Sequence, residues 1–222
     1  MTSDQYASKE ESYFSKQRQE MLPFIPKGVE KLLDVGCGSG LFSANLKTLR
    51  NIKVTGIEPQ QSAFQQASAL LDRVLPLDVD AALDVLNGEY FDCIVFNDVL
   101  EHVIDPWAIL SKVRDLLSPD GCVVASIPNI RHMPTFKDFV INGNWTYQKE
   151  GVMDRTHLRF FTKKSIASLF ESTGFNLVKL EGINGGSFPW KYGILNKITG
   201  GRLEDTRYLQ FACVAKPKTS DR

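Results

Sequence analysis

The chain has 222 residues, enough for one large domain whose core needs no disulfide or metal support. Its 43% hydrophobic and 23% charged content is that of a folded globular protein, which excludes a disordered or fibrous chain. With 26 basic residues against 26 acidic ones, no overall field draws the chain to nucleic acid or to an anionic membrane, and neither is expected as a partner.

The opening residues are polar and carry no signal-peptide pattern, and no apolar run is long enough for stable membrane insertion. Cys37, Cys93, Cys122 and Cys213 form no CxxC pair, and three of them sit in strand-like apolar runs. They read as small hydrophobes in a reducing, cytoplasmic setting, not as a disulfide frame or a zinc site.

In chain order, a polar-rich leading helix is expected first, over residues 6–22 of a leading segment 1–24. Short apolar runs then alternate with amphipathic ones, the mark of βαβ units. Strands are predicted at 31–35, 53–57, 73–77, 92–96 and 122–127, with two more at 176–181 and 209–215. Helices are predicted at 41–49, 60–71, 81–86, 106–117 and 163–173. Asp105 and Thr162 are N-cap residues, and Gly174 suits a left-handed C-terminal turn. The expected fold is a single α/β domain over 1–222, with a Rossmann-like, seven-stranded, mostly parallel, doubly wound sheet. Two stretches exceed ordinary connections, 128–161 after the fifth strand and 182–206 between the last two strands. The first is expected to be a substrate lid.

The segment Leu32-Leu-Asp-Val-Gly-Cys-Gly-Ser-Gly40 runs from a buried strand through three alternating glycines into a helix. Glycine there lets the backbone turn sharply and approach a ligand closely. A dinucleotide site uses GxGxxG, but residue 41 is Leu, so the spacing here is GxGxG. Asp34 would repel a pyrophosphate and suits a ligand carrying an ammonium group, as S-adenosylmethionine (SAM) does. Glu58 and Pro59 end the second strand, where a carboxylate can hold a ribose diol. Asp78 follows the third strand, where it can meet an adenine amine. The fourth ends in Phe96-Asn-Asp-Val-Leu-Glu-His102 at the same sheet edge.

These motifs resemble the class I SAM-dependent methyltransferases, in the branch of ubiquinone-biosynthesis-type O-methyltransferases, from about Tyr13 to Phe175. Asp98-Val-Leu-Glu-His-Val-Ile-Asp-Pro106 is similar to that family's fourth-strand motif. Ile127-Pro-Asn-Ile-Arg-His132 and Asp154-Arg-Thr-His-Leu-Arg-Phe-Phe-Thr162 are similar to a subgroup often encoded with cell-surface polysaccharide enzymes. The resemblance implies the class I methyltransferase fold, with SAM as cofactor and S-adenosylhomocysteine (SAH) as product. It implies methionine contacts from Asp34, Gly36, Cys37 and Gly38, a ribose contact from Glu58 beside Pro59, and an adenine contact from Asp78. Asn97, Asp98 and Val99 would lie near the sulfonium, and Tyr13 with Arg18 would meet the SAM carboxylate.

A hydroxyl acceptor must lose a proton, and histidine suits that task near neutral pH. His102 is the first candidate base, followed by His157 and His132. Each has a bland alternative: a hydrogen-bonding turn residue for His102, a brace for His157, a loop anchor for His132. No metal is expected, because these histidines match neither an HxxxH nor an HExxH pattern. Phe136, Phe139, Trp145 and Tyr147 are candidates for an apolar acceptor wall, or for seating a short helix. The run Phe188-Pro-Trp-Lys-Tyr192 is a candidate contact for a lipid-linked substrate or a second subunit.

The expected activity is O-methylation of a small molecule or sugar by in-line methyl transfer. The partners are a small-molecule or glycan acceptor, with a homodimer compatible. A non-catalytic SAM-binding or scaffold protein of a biosynthetic complex is the alternative. A nicotinamide-dependent dehydrogenase is opposed by Asp34 and the glycine spacing.

Overall fold

The computed structural model describes residues 17–187 and 189–218. Seven strands form one sheet: β1 Lys31–Val35, β2 Lys53–Ile57, β3 Arg73–Leu75, β4 Phe91–Asn97, β5 Leu117–Pro128, β6 Phe175–Gly185 and β7 Tyr208–Pro217. Their order is β3-β2-β1-β4-β5-β7-β6, and all neighbours are parallel except β7, which runs antiparallel to both β5 and β6. The order reverses between β1 and β4, so their carboxyl ends flank the crevice where such sheets bind ligands.

Among the described residues, seven α-helices follow in chain order: α1 Leu41–Leu49, α2 Gln61–Ser68, α3 Val79–Val85, α4 Pro106–Arg114, α5 Met133–Asn142, α6 Lys163–Ser172 and α7 Trp190–Ile198. The sheet is covered on both faces, which is why its strands read as near-continuous apolar runs. One core packs Leu83, Leu110 and Phe170 of α3, α4 and α6 against Ile94 and Val123. The other packs Phe42, Leu46 and Ala67 of α1 and α2 against Leu32, Val54 and Val95.

The caps follow the sequence. Asp105 accepts a hydrogen bond from Ala108 N (3.0 Å), and Pro106 opens α4. Thr162 and Ser165 form a reciprocal capping box on α6. Several boundaries differ from expectation. α4 stops at Arg114 because Leu117 already pairs with Phe91 as the start of a longer β5. β3 ends at Leu75, since Asp78 is needed as the N-cap of α3.

The expected leading helix is corrected where it can be seen. Gln19–Phe24 is a 3-10 helix containing Pro23, preceded by Arg18 in the left-handed region (φ 48°). Proline removes a donor and clashes with a continuing α-turn. Residues 1–16, Tyr13 among them, lie outside the described residues, as does Phe188. The long 128–161 stretch contains α5, and the 182–206 stretch contains α7 after an extended β6. No helix among the described residues is long and apolar enough to cross a membrane.

Candidate active site

The site is built where β1, β2, β3 and β4 end. The β1–α1 loop turns through Gly36 at φ 67°, and the amides of Gly36 and Cys37 both donate to Ile57 O (2.8 and 3.0 Å). A Cβ on Gly36 would lie 2.7 Å from Val99 Cγ2, so this loop touches the turn after β4 and leaves no room for a side chain. Glu58, 4% exposed, accepts from Gly38 N (2.9 Å) and Gln60 N (2.8 Å). Asp34 is fully buried and accepts from Ser43 Oγ (2.7 Å). Asp78 and Pro59 are exposed at the neighbouring strand ends, with Asp78 also capping α3. The Cys37 thiol packs against Gly56, and burial pushes it well above its ordinary range, which leaves it inert.

At the β4 end, Asp98 adopts a left-handed backbone (φ 57°). Its carboxylate pairs with Arg18 and accepts from Ser126 Oγ (2.9 Å) and Gln210 Nε2 (2.7 and 2.8 Å). Asn97 presents a buried Oδ1 with no hydrogen-bond partner among the described residues. A glycine cradle that a Cβ would fill and an orphan acceptor beside it together suit a ligand lying across the ends of β1 and β4.

The family profile described as a methyltransferase domain matches residues 6–180, well over half of the chain. The chain belongs to this methyltransferase family. The methyltransferase is 29% identical over 194 residues to a ubiquinone biosynthesis O-methyltransferase of Cereibacter sphaeroides, covering 82% of this chain and 73% of that one. A SAM-dependent methyltransferase from Archaeoglobus fulgidus shares the fold with a TM-score of 0.65 at 19% identity, covering 93% of this chain and 94% of that one. The plantazolicin methyltransferase in complex with SAH aligns with a TM-score of 0.56 at 19% identity, over 97% of this chain and 84% of that one. Family and fold are those of the class I SAM-dependent enzymes, and SAM is the methyl donor.

Burial pushes Asp34 up to about 7, opposed by the Ser43 hydroxyl and reinforced by Glu58. Its folded value thus lies above the ordinary 3.8, so the folded chain holds the extra proton between those limits. Its contribution to stability is present in acid and lost as pH rises through that window. A ligand ammonium favours the ionised carboxylate. SAH affinity of the methyltransferase is therefore expected to rise by up to about tenfold per unit between roughly pH 5.5 and 7. Calorimetry over that range checks this, with Asp34→Asn flattening the profile. A flat wild-type profile would remove Asp34 from the ammonium.

Beyond Asp98 a cavity of about 400 Å³ opens, lined by Arg18, Asp98, Glu101, Asp154, His157 and Gln210 among others. Its far wall is the Asp154–Arg159 run, clasped to the β4 end because Leu158 N and Arg159 N both donate to Glu101 O (2.8 and 3.0 Å). Asp154 accepts from Thr156 N and Oγ1 (2.9 and 2.8 Å), and His157 Nδ1 contacts Val152 O (2.9 Å). A chain of aromatic side chains runs to the same wall: Phe139 packs edge-on to Trp145 and Trp145 to Phe160, each at 5.3 Å, and Phe160 stands 6.2 Å from His157.

The three histidines are not equivalent. His157 lines the cavity; His102 and His132 are not among its lining residues. His102 is 4% exposed, its Nδ1 lies 3.1 Å from Thr156 O, and its ring stands edge-on to His157 at 4.7 Å. Burial, with the neighbouring His157, lowers it to about 4. His102 is thus packed behind the wall, and His157 is the one of the three that lines the cavity. His132 stands before α5 without a side-chain cap bond, its pKa lowered by burial.

One lining residue that sequence reasoning did not single out is Glu101. Neither of its carboxylate oxygens has a hydrogen-bond partner among the described residues. Burial, with Asp98 nearby, pushes its pKa well above the ordinary carboxylate range. Glu101, His102 and His157 also bring one carboxylate oxygen and two ring nitrogens within 4.8 Å of one another, a donor set a divalent cation accepts. Spacing did not reveal this cluster because His157 arrives on a separate segment.

Proposed function

We propose that the enzyme transfers the SAM methyl group to a hydroxyl of a small molecule or sugar. The observation that carries this reading is the cavity lined by Asp98, Glu101, Asp154 and His157, on the side of β4 away from the glycine loop. The O-methyltransferase name of the relatives supports oxygen as the acceptor atom. SAM supplies a methyl carbon already activated by its sulfonium. The chain's task is to hold the donor and aim the acceptor, and orientation of that kind lowers a barrier by up to about 7–11 kcal/mol. In this reading Asp34 takes the ammonium, Glu58 the ribose diol and Asp78 the adenine amine. Gly36, Cys37 and Gly38 give backbone approach, Asn97 and Val99 border the sulfonium, and Arg18 steadies the carboxylate end. Residues 128–161 serve as the acceptor lid, supported by their exposed aromatic side chains at Phe139, Trp145 and Tyr147.

Calorimetry with SAM and SAH tests donor binding, and tritium transfer from labelled SAM to alcohols and amines tests the acceptor atom. Glu58→Ala is expected to weaken SAH binding by about 1–3 kcal/mol, the usual effect of losing a buried hydrogen-bond partner. Equal affinities would take Glu58 off the ribose. Transfer to amines alone would replace oxygen by nitrogen.

A further inference from the structure

We infer that Glu101 is the specificity-determining group of the acceptor site, and that it selects an uncharged acceptor rich in hydroxyl groups over an anionic one. This deepens the methyltransferase reading and rests on it.

Glu101 is 1% exposed, yet it lines the cavity beyond Asp98 and both its carboxylate oxygens lack a hydrogen-bond partner among the described residues. A carboxylate buried that way is costly, and a carboxylate kept for folding would have partners built around it. Its backbone is held instead. Glu101 O receives the amides of Leu158 and Arg159, so the side chain is held by its main chain in the wall of the cavity. The nearest ring nitrogen, His157 Nε2, stands at 3.9 Å, beyond hydrogen-bond reach. An unpartnered carboxyl in the wall of a cavity calls for hydrogen-bond partners from the ligand, and the O–H groups of a polyol, which both donate and accept, supply them.

The charge around the cavity sets the second half of the inference. Glu20, Asp98, Glu101 and Asp154 line it against Arg18, and Arg18 is already committed to Asp98 and to Ser126 Oγ (2.7 Å). A carboxylate or phosphate on the acceptor would meet these acidic groups with Arg18 as the one Arg or Lys among the described lining residues, and that guanidinium is already engaged, a form of discrimination by repulsion.

Three measurements on the full chain test this. Neutral monosaccharides and polyols, with their phosphorylated and uronic-acid counterparts, serve as probes in tritium transfer from labelled SAM. The wild type is expected to methylate at least one neutral probe at least 100-fold faster than its acidic counterparts. Glu101→Gln, of the same shape, is expected to lower kcat/KM for that probe at least 100-fold while SAH affinity stays within threefold. Glu101→Met is expected to melt at a higher temperature than the wild type, because it removes a buried polar group without hydrogen-bond partners among the described residues. The inference is overturned by wild-type transfer in Glu101→Gln, by a lower melting temperature in Glu101→Met, or by transfer to no neutral probe. Equal transfer to acidic probes overturns it too, as does activity lost on chelation and restored by magnesium or manganese, which would make Glu101 a cation ligand. Absence of SAH binding in the wild type would defeat the methyltransferase reading itself.

Discussion

Gly36→Ala is expected to weaken SAM binding by at least about 100-fold and to lose roughly 1–3 kcal/mol of stability, from strained backbone and overpacking together. Two features act at once. The residue sits at φ 67°, which a side chain disfavours, and its new Cβ would lie 2.7 Å from a methyl of Val99. Relief of that contact has to move either the β1–α1 loop or the turn after β4, and the donor is expected to lie between those two. Gly28→Ala is the control. It also has a positive φ, 85°, but open space around the new Cβ. It is expected to cost no more than about 1–2 kcal/mol and to leave SAM affinity unchanged. Denaturant unfolding and calorimetry on both variants check this. If Gly36→Ala binds SAM as the wild type does, the loop is not the donor cradle.

Asp98→Ala is expected to cost about 2–4 kcal/mol, the largest stability loss of any single side-chain truncation at the site. Asp98 gathers Arg18, Ser126 and Gln210 onto one carboxylate, and the Arg18 side chain is only 10% exposed. Removal would leave a nearly buried guanidinium with only Glu20 (3.0 Å) and Ser126 Oγ (2.7 Å) as partners among the described residues, which is costlier than losing an exposed ion pair. Asp98 itself is about one-fifth exposed, which keeps the figure below that of a fully buried pair. Asp98→Asn keeps the short side chain that tolerates a left-handed backbone and one acceptor oxygen. It is expected to lose about half as much. Urea unfolding measures both. A loss below about 1 kcal/mol for Asp98→Ala would show that Arg18 finds another partner and that the cluster is not a structural node.

The elements around the β1–α1 loop were legible because each is encoded locally. A strand buried on both faces reads as an apolar run, a glycine loop as its spacing, and a strand-end carboxylate as a polar residue closing that run. Residues 31–35, 53–57 and 41–49 therefore fall where the sequence places them, and Asp34, Gly38 and Glu58 converge as their order along the chain implies. Parallel βαβ connections bring successive strand ends to one edge without any further information.

The cavity beyond Asp98 is a different kind of object. Glu101 is one acidic residue in a turn, and nothing within a few positions of it says that its oxygens will lack partners. That property depends on which groups the Asp154–Arg159 run brings against it from a distant part of the chain. The same packing decides that His102 faces Thr156 O and His157 faces the cavity, although both histidines look equally suitable as letters in a sequence. The sequence by itself determined the sheet, its caps and the donor loop, because those follow from hydrophobic periodicity and backbone preference over short spans. Only the tertiary structure decided which polar groups are satisfied and which are left for a ligand, because burial and hydrogen-bond partnership are set by contacts between segments far apart in the chain.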